Sequence, residues 1–440
     1  MKKVLVLGAG MVSRPLVDYL LDHGYALTLC DRIADAAEQV VAGRPHAEAF
    51  ALDIAETDTI RSLVADHDLV VSLLPPALHT GVAQIALEAG KHFLTASYQS
   101  EAMTAMAPQV AERGLIFLNE VGLDPGLDHM TTMELIDACN AEGYAITSYE
   151  SHCGGLPSRK AANNPLRYKF SWSPAGVLGA LTRPSKYRRG GRLIELPGSE
   201  MLANAEVLHV PGVGVYESTP NADALYYGAR YGIDEVPTLR RGTLRYPGWA
   251  SFWRFMLSLD LVNRENKVDC EDEPALRVLF RSAGMDPETD IAQLIAERAP
   301  EQASRFLEAF DSLGLLNEDY RLTGAYSAFD VLLECALETH QYDDDEADLV
   351  VLHHEFHVEK DGVRELWTSS IIQEGIPAEK KTAMGLLVGI PTAIAARLIL
   401  EDRITQKGVL IPVAREIYVP ILEEMERLGF KHVVKRKRLS

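Results

Sequence analysis

The sequence predicts an α/β fold that starts with a doubly wound parallel sheet and continues into a second α/β domain. Residues 3–7 (KVLVL) form a short, uniformly apolar run, which is typical of a strand buried on both faces of a parallel sheet. A glycine-rich turn follows at residues 8–10 and leads into an amphipathic segment of helical period. Short apolar runs and helical segments then alternate as far as residue 118.

The first domain is predicted to alternate strands and helices throughout. The helix after the turn ends near Gly24, because glycine is common just after a helix C-terminus. Further strands are expected at residues 25–30, 49–52, 69–74, 92–95 and 115–118. Helices are expected at residues 35–41, 58–64, 79–89 and 105–112. This alternation indicates a doubly wound parallel sheet.

The pattern changes after about residue 124. Strands are expected at residues 144–153, 207–210, 242–246, 349–358 and 365–372, which predicts a mixed sheet. A helix-rich insertion is expected at about 250–345. We therefore assign residues 1–124 to the first domain, completed by about 392–440, and residues 125–391 to the second.

The C-terminal part contains the most apolar stretch of the chain, residues 383–400. Because Gly385, Gly389, Pro391 and Arg397 interrupt it, a buried loop followed by a helix at 392–400 is expected, and not a membrane span. Another helix is expected at 413–428, and both are expected to fold back onto the first domain. The basic tail at 431–438 is predicted to be a solvated terminus.

Composition limits the classes of partner. The 440 residues include 63 acidic and 43 basic ones, for a formal net charge of -20. Such an excess repels nucleic acid and anionic membranes, although a local arginine cluster still allows an anionic small substrate. The cysteines are scattered, odd in number and without metal-like spacing, and no secretory leader is recognised, so a reducing, cytoplasmic location is expected; they are Cys30, Cys139, Cys153, Cys270 and Cys335.

The decisive local motif is Gly8-x-Gly10-x-x-Ser13, placed between a strand and a helix. Gly8 permits a tight turn, and Gly10 lets backbone approach a pyrophosphate, with the amides of Met11 and Val12 at the helix N-terminus. Ser13 departs from the usual glycine or alanine but is small enough to pack. The motif in this context predicts a Rossmann-type dinucleotide-binding domain; the alternative is a glycine turn that binds nothing.

The ends of the next strands bear on the choice of cofactor. Asp31 can accept a hydrogen bond from a ribose 2′-hydroxyl and repels a 2′-phosphate, which favours NAD. Arg32 follows directly and suits a 2′-phosphate, so NADP stays open. Asp53 and Ile54 are expected to face the adenine, although Asp53 is equally compatible with an ordinary turn residue. Residues 72–76 are expected to form the rim of the ligand-binding cleft at the carboxyl edge of the sheet.

Three polar clusters, at residues 95–98, 119–129 and 152–157, combine glycine or proline with ionisable side chains. Residue type alone assigns no role, and the candidates for acid or base are Tyr98, Asp124, Asp128, His129, His152 and Cys153. His129 fits a structural residue at a helix start better than a base. A fourth group, His353, His354 and His357, is expected to bind no metal, because side chains alternate along a strand and no cysteine is near.

Several long blocks have an unusual composition. They include NEVGLDPGLDHM at 119–130, HCGGLP at 152–157, NNPLRYKFSWSPAGVL at 163–178 and RRGTLRYPG at 240–248. In these blocks, and in VGIPTA, KGVLIP and REIYVPILE toward the end, the chain resembles the L-glutamate-forming saccharopine dehydrogenase family, also called saccharopine reductase. The resemblance covers most of the chain.

The resemblance implies an activity in lysine metabolism. Such an enzyme oxidises saccharopine with NAD or NADP to L-glutamate and 2-aminoadipate 6-semialdehyde, or runs the reverse reductive condensation. Both directions need a dry, positioned cofactor, a route for protons and recognition of three substrate carboxylates. The resemblance further implies a second domain that binds the substrate and forms a homodimer.

The resemblance also implies site residues. It places cofactor contacts at Ala9, Gly10, Met11, Val12, Cys30, Asp31, Arg32, Asp53, Ile54, Leu74, Ala96, Ser97, Leu123, Asp124, Pro125 and Ser173. It places substrate contacts at Ser97, Tyr98, Asp124, Thr243, Leu244 and Arg245. The implied catalytic residues are Asp124, Cys153 and Tyr98, with water as a possible direct proton partner. Two alternatives stay open: Cys153 as a packed thiol, and Arg245 as a structural ion pair although its fork suits a carboxylate.

One position departs from the family. The family commonly has Asn-Arg-Asp where this chain has Asn-Ala-Asp at residues 221–223, and Ala222 cannot bind a carboxylate. Either Arg240, Arg241 or another base compensates, or one end of the substrate differs. Two other functions therefore stay open: a dehydrogenase of a polyamine-derived imine, such as carboxynorspermidine dehydrogenase, and a non-catalytic dinucleotide sensor. Blocks 152–157 and 163–178 argue against the first, and the retained acid–base candidates argue against the second.

Overall fold

A computed structural model describes residues 1–439, which form two compact units. Unit 1 contains residues 1–146 and 357–439, and unit 2 contains residues 147–356. The domain limits predicted at residues 124 and 391 stay a prediction.

The first part of the chain alternates strands and helices. Its strands are β1 (Lys3–Leu7), β2 (Ala26–Asp31), β3 (Ala47–Ala51), β4 (Leu69–Ser72), β5 (His92–Thr95) and β6 (Ile116–Leu118). Its helices are α1 (Ser13–Asp22), α2 (Ala34–Val41), α3 (Thr57–Asp66), α4 (Pro76–Ala89), α5 (Glu101–Ala105), α6 (Ala107–Glu112) and α7 (Leu127–Glu142).

The remaining elements are more varied. The strands are β7 (Ala145–Pro157), β8 (Ser185–Arg189), β9 (Arg192–Leu196), β10 (Glu206–Val210), β11 (Gly214–Pro220), β12 (Thr238–Arg245), β13 (Val268–Pro274), β14 (Arg321–Tyr326), β15 (Asp348–Lys360), β16 (Val363–Glu374), β17 (Gly408–Leu410) and β18 (Val433–Arg438). The helices are α8 (Pro174–Gly179), α9 (Gly198–Met201), α10 (Leu225–Tyr231), α11 (Trp249–Ser258), α12 (Ala275–Ser282), α13 (Ile291–Arg298), α14 (Ala303–Ser312), α15 (Ala328–Thr339), α16 (Ala383–Leu400) and α17 (Arg415–Arg427).

Unit 1 contains a seven-stranded sheet in the order β17-β6-β5-β4-β1-β2-β3. Every neighbouring pair is parallel, so the predicted doubly wound sheet is confirmed. In β1, residues 4–7 are at most 1% exposed, as expected of a strand covered on both faces. The strand order reverses between β1 and β4, where ligands of such sheets bind at the carboxyl ends of the strands.

The predicted elements of this part lie within two residues of the observed ones, except that α4 begins three residues earlier than expected and that one expected helix is divided. The helix expected at 105–112 is two helices, α5 and α6. Pro108 lies in the first turn of α6, where a missing N–H costs nothing, whereas inside a continuous helix it would remove a hydrogen bond.

Helix α16 corrects the loop expected at residues 383–391. It is one helix from Ala383 to Leu400, capped by Thr382, whose hydroxyl accepts the N–H of Gly385 at 2.9 Å. By length and composition α16 is able to cross a membrane, but 89% of it is buried inside the fold, as in a core helix. Packing on many sides therefore outweighs the low helix propensity of its glycines and of Pro391.

The basic tail is exposed over residues 433–438, as predicted for a solvated terminus, but it also forms β18, which pairs antiparallel with β16 and was not predicted. The Arg436 guanidinium lies 3.6 Å from the centre of the Trp367 ring and donates to both carboxylate oxygens of Glu142. Exposed lysines and arginines on such an outer strand hinder further strand pairing.

Unit 2 contains the predicted mixed sheet. β12 pairs parallel with β7 and antiparallel with β11, in the order β10-β11-β12-β7-β15, and a β8–β9 hairpin adds to β12. The helix-rich insertion expected at about 250–345 contains α11 to α15 and the β13–β14 pair. The core around it is aromatic and includes Trp249, Phe252, Trp253, Phe306 and Phe310. The strands β8, β9, β11, β13 and β14 were not predicted from the sequence.

Candidate active site

The glycine turn after β1 has the geometry that a dinucleotide needs. Gly8 has a φ of 105°, and a Cβ there would lie 2.9 Å from the Leu73 carbonyl oxygen after β4. Gly10, by contrast, faces open space, with no atom within 4 Å of its Cβ position. Ser13 is buried, and its hydroxyl donates to the Gly10 carbonyl at 2.7 Å, so this departure from the usual motif closes the turn. The turn fits a pyrophosphate held by backbone N–H groups.

Helix α16 packs directly against this turn. A Cβ on Gly389 would lie 2.8 Å from the Val12 carbonyl oxygen, and one on Gly385 would lie 3.2 Å from that of Met11. Both glycines therefore let α16 approach the backbone of the turn. The sequence analysis missed this role, although two glycines four residues apart occupy one face of a helix.

Asp31 at the end of β2 connects to the turn. Its Oδ2 accepts the backbone N–H of Ala9 at 2.8 Å, and its Oδ1 accepts that of Ile33 at 3.0 Å. Both carboxylate oxygens thus hold backbone groups. The side chain ties the strand end to the glycine turn, a role that the sequence analysis did not anticipate.

A cavity of about 390 Å³ opens beside Asp31. Residues from four strand ends line it: Leu7, Cys30, Asp31, Arg32, Leu52, Asp53, Ile54, Leu74, Pro75 and Leu78. Six residues predicted to contact the cofactor are therefore together here. Asp53 is also a turn residue, because its Oδ1 accepts the N–H of Ala55 at 2.9 Å, and its contact with the adenine stays a prediction.

A buried histidine supports the next predicted residue, Ser97. The two ring nitrogens of His79 each lie 2.8 Å from a hydroxyl oxygen, one of Ser72 and the other of Ser97. Burial lowers the pKa of His79 to about 4, so the ring is neutral near pH 7. His79 was not a predicted site residue, and a lone histidine on a helix carries no signal for this role.

Tyr98 and Asp124, two of the three implied catalytic residues, are in contact. The Tyr98 hydroxyl donates to Asp124 Oδ1 at 2.9 Å, and both side chains are half-buried. Asp124 precedes a cis peptide bond to Pro125. The loop that carries Tyr98 and the loop that carries Asp124 approach closely at Gly122, where a Cβ would lie 3.0 Å from that of Ala96. Among the predicted cofactor residues, Ser173 alone lies outside unit 1.

Unit 2 carries the other predicted residues on neighbouring strands. Cys153 on β7 is paired with Thr243 on β12, and Leu244 and Arg245 follow at the carboxyl end of β12. Cys153 is buried, which is compatible with both roles left open for it. Ser173 caps α8, because its hydroxyl accepts the N–H of Gly176 at 3.2 Å.

Arg245 is buried without an acidic partner among residues 1–439. Its Nη1 donates to the Leu244 carbonyl at 2.8 Å, and its Nε has no hydrogen-bond partner. The guanidinium lies 5.1 Å from the Tyr168 ring centre and 5.4 Å from that of Trp249. A buried, uncompensated cation costs several kcal/mol, which fits a site for an external carboxylate better than the structural ion pair left open above.

Arg240 and Arg241 are the two named candidates that could compensate for Ala222 at the position of the family's arginine. Ala222 has a φ of 48°. Arg240 is buried, donates to the Ser218 carbonyl at 2.9 Å and lies 3.5 Å from Glu150. Arg240 therefore already has an acidic partner and a hydrogen-bond acceptor within unit 2. Arg241 lies 4.5 Å from the Tyr227 ring centre.

His152 and His354 in unit 2 have polar or aromatic partners. His152 Nδ1 lies 2.8 Å from the Ser218 hydroxyl, and burial lowers the pKa of His152 well below its usual value. The ring of His354 stacks with that of Tyr149. Among residues 1–439, no group of three or more histidine, cysteine or acidic side chains is arranged to hold a metal ion.

Comparison with protein families identifies the chain. The family model for the saccharopine dehydrogenase NADP binding domain matches residues 4–118, and that for the saccharopine dehydrogenase C-terminal domain matches residues 122–430. The chain belongs to the saccharopine dehydrogenase family. The resemblance inferred from the sequence blocks is thereby confirmed.

Individual relatives agree with this family. The chain is 34% identical to the saccharopine dehydrogenase [NADP(+), L-glutamate-forming] of Pyricularia oryzae, over 98% of both chains. It is 35% identical to the mitochondrial alpha-aminoadipic semialdehyde synthase of mouse, but spans 47% of that protein. The structure of the apo L-glutamate-forming saccharopine dehydrogenase from Saccharomyces cerevisiae matches over the full length of both chains, with a TM-score of 0.86 and 31% identity. A homospermidine synthase from Legionella pneumophila, at 10% identity and a TM-score of 0.60, shares the fold.

Proposed function

We propose that the chain is an L-glutamate-forming saccharopine dehydrogenase. The observation that carries this is the full-length similarity to enzymes of that name, which includes both domains. In the oxidative direction the substrate loses a hydride from the carbon next to its secondary amine and one proton from the nitrogen. Water then adds to the resulting C=N bond, and breaking of the C–N bond yields L-glutamate and 2-aminoadipate 6-semialdehyde. The reverse is a reductive condensation.

The residues of unit 1 fit the nicotinamide cofactor that this reaction needs. The open backbone at Gly10 and the amides of Met11 and Val12 would hold the pyrophosphate, and the cavity beside Asp31 would hold the adenosine end. When bound, the oxidised nicotinamide accepts the hydride.

The chain's own polar residues are proposed to handle protons and carboxylates. Tyr98 donates a hydrogen bond to the Asp124 carboxylate and thereby orients it, and this carboxylate is proposed to exchange protons with the substrate amine or with water. Arg245 binds a substrate carboxylate, which compensates its buried charge. Cys153 on β7 is proposed as a further catalytic residue.

We further infer that NADP is the preferred cofactor. Asp31 by itself favours NAD, but both of its oxygens already accept backbone N–H groups. Arg32 is exposed at the edge of the same cavity and suits a 2′-phosphate. The relative from Pyricularia oryzae described above is named as an NADP(+) enzyme.

Product analysis tests the proposed reaction. Purified protein incubated with saccharopine and NADP is expected to release L-glutamate, the semialdehyde and reduced cofactor in equal amounts, measured by mass spectrometry and absorbance. Turnover of a carboxylated polyamine in place of saccharopine would select the polyamine-imine alternative. Cofactor binding without turnover of either would select the sensor.

Homodimer assembly and a cytoplasmic location are also proposed. The first is inferred from the family resemblance, and the second from the scattered cysteines, all of which are free thiols. Analytical ultracentrifugation tests the assembly, and a mass near that of one chain would contradict it. Fractionation of the native cells tests the location.

A further inference from the structure

Three ionisable residues of unit 1 are completely buried and have no part in the proposed chemistry: Glu120, Asp128 and His129. Burying a carboxylate costs several kcal/mol unless strong hydrogen bonds compensate it. Glu120 additionally has a φ of 58°, a backbone conformation that costs a non-glycine residue about 1 kcal/mol or more. Two unfavourable features at one residue indicate a constraint on local geometry.

Glu120 holds the loop that carries Tyr98. Its Oε1 accepts the backbone N–H of Gln99 at 2.8 Å. Its own backbone N–H donates to the Ser97 carbonyl at 3.1 Å. Glu120 therefore holds the chain directly before and directly after Tyr98.

Asp128 holds the loop that carries Asp124. Its Oδ1 accepts the backbone N–H of Gly126 at 2.6 Å. Gly126 closes this loop so tightly that a Cβ there would lie 2.1 Å from the Gly122 carbonyl oxygen. Asp128 therefore stabilises a turn only two residues beyond Asp124.

His129 lies between the two carboxylates. Its Nε2 donates to Glu120 Oε2 at 2.8 Å, and its Nδ1 lies 3.5 Å from Asp128 Oδ2. We infer that His129 is a positioning residue that fixes the spacing of the two loops, and thereby the 2.9 Å contact between Tyr98 and Asp124. This inference rests on the proposed function for its catalytic consequence, but the geometry that it predicts does not.

The inference assigns to His129 an effect on turnover that a packing role would not have. An error of about 1 Å in the placement of a catalytic group can lower a rate by about 100-fold. A histidine that only stabilised the fold would change the melting temperature and leave kcat of the folded enzyme intact. The sequence analysis expected a structural residue at a helix start, and the positioning role extends that expectation.

The test compares two substitutions in the full-length enzyme. His129→Leu removes both contacts, whereas the amide of His129→Gln can still donate to Glu120. We expect kcat with saccharopine to fall about 100-fold in His129→Leu and to recover to within about tenfold of the wild type in His129→Gln. The dissociation constant of NADP is expected to change less than kcat in both, because the contacts of His129 lie outside the cavity beside Asp31.

A matched control and a structural readout complete the test. His67 is another buried histidine of unit 1, bonded to Leu63 and Thr28, and His67→Gln is expected to lower the melting temperature with kcat unchanged. In a crystal structure of His129→Leu, the distance from the Tyr98 hydroxyl to Asp124 is expected to exceed about 3.5 Å. If His129→Leu does not fold, the same two measurements on Asp128→Asn decide, and the positioning role predicts a lower kcat and a longer distance from the Tyr98 hydroxyl to Asp124.

The outcomes separate the two proposals. An unchanged kcat in His129→Leu, or an unchanged Tyr98–Asp124 distance, would overturn the positioning role. A wild-type enzyme that leaves saccharopine unchanged would overturn the proposed function, and the crystal structure of the variant would still decide the inference.

Discussion

Gly389 lies so close to Val12 that a Cβ on the glycine would be 2.8 Å from the Val12 carbonyl oxygen and 3.1 Å from the backbone nitrogen of Leu16. Both obstacles are backbone atoms, so neither can rotate away. We predict that Gly389→Ala destabilises the protein by about 1–3 kcal/mol, although alanine raises helix propensity by about 1 kcal/mol. The dissociation constant of the cofactor should rise with it, because Val12 belongs to the turn. Urea unfolding and cofactor titration measure both.

Gly81 provides the control for this substitution. It lies in α4, is exposed, and no atom lies within 4 Å of its Cβ position. Gly81→Ala is therefore expected to stabilise the protein by up to about 1 kcal/mol. If Gly389→Ala behaved in the same way, the close packing of α16 against the glycine turn would be wrong.

Arg32 is predicted to recognise the 2′-phosphate of NADP. Because a hydrogen bond to a charged group contributes about 1.5–3 kcal/mol, Arg32→Gln should raise the KM for NADP by about 10-fold to 100-fold and leave that for NAD nearly unchanged. Asp31→Ala is expected to shift the preference toward NADP and also to loosen the turn at Ala9. Steady-state rates with both cofactors measure these changes. An Arg32→Gln enzyme with unaltered preference would contradict the assignment.

Arg245 offers a test that separates binding from stability. Arg245→Met should lower kcat/KM for saccharopine by about 100-fold or more, since a bidentate carboxylate contact is lost. Its melting temperature should stay the same or rise, because a buried cation without an acidic partner is removed.

Arg240→Met is the matched control for Arg245→Met. Arg240 is also buried, but it is engaged with Ser218 and Glu150, so its loss should cost about 1–3 kcal/mol. A drop in melting temperature in Arg245→Met as large as in Arg240→Met would show that Arg245 is structural.

His79 should make stability depend on pH. Its pKa is lowered to about 4 by burial, so the folded state binds fewer protons than the unfolded state between about pH 6.5 and about pH 4. The free energy of unfolding should therefore fall as the pH drops through this window, by up to about 3 kcal/mol from this residue. Urea titrations should show a smaller drop for His79→Gln than for the wild type. Identical pH dependence would contradict the assignment.

The parallel sheet could be predicted from the sequence because its signal is local. Uniform apolar runs such as residues 3–7 and the glycine turn at Gly8 need no knowledge of the rest of the chain. The course of α16 needed such knowledge, because Gly385, Gly389 and Pro391 break a helix in isolation but not one buried in the core. The strand β18 was not predicted either. Its charges indicate only that the segment is exposed to solvent, and its pairing with β16 depends on a distant part of the chain.

Some features of the candidate site could likewise be predicted from the sequence, and others could not. The position of Asp31 and Arg32 at the end of the second strand could be predicted, because dinucleotide-binding domains have an acidic residue at this spacing from the glycine turn. The support of Ser97 by His79 was not predictable, because contacts between side chains far apart in sequence leave no periodic pattern. The distance between Tyr98 and Asp124 likewise depends on two separate loops.

The most direct test of the account is the initial rate of reduced-cofactor formation when saccharopine is added to the wild-type enzyme, measured with NADP and with NAD. We predict turnover with both cofactors, with a higher kcat/KM for NADP. No formation of reduced cofactor with either one, from a folded enzyme that binds the cofactor, would contradict the account.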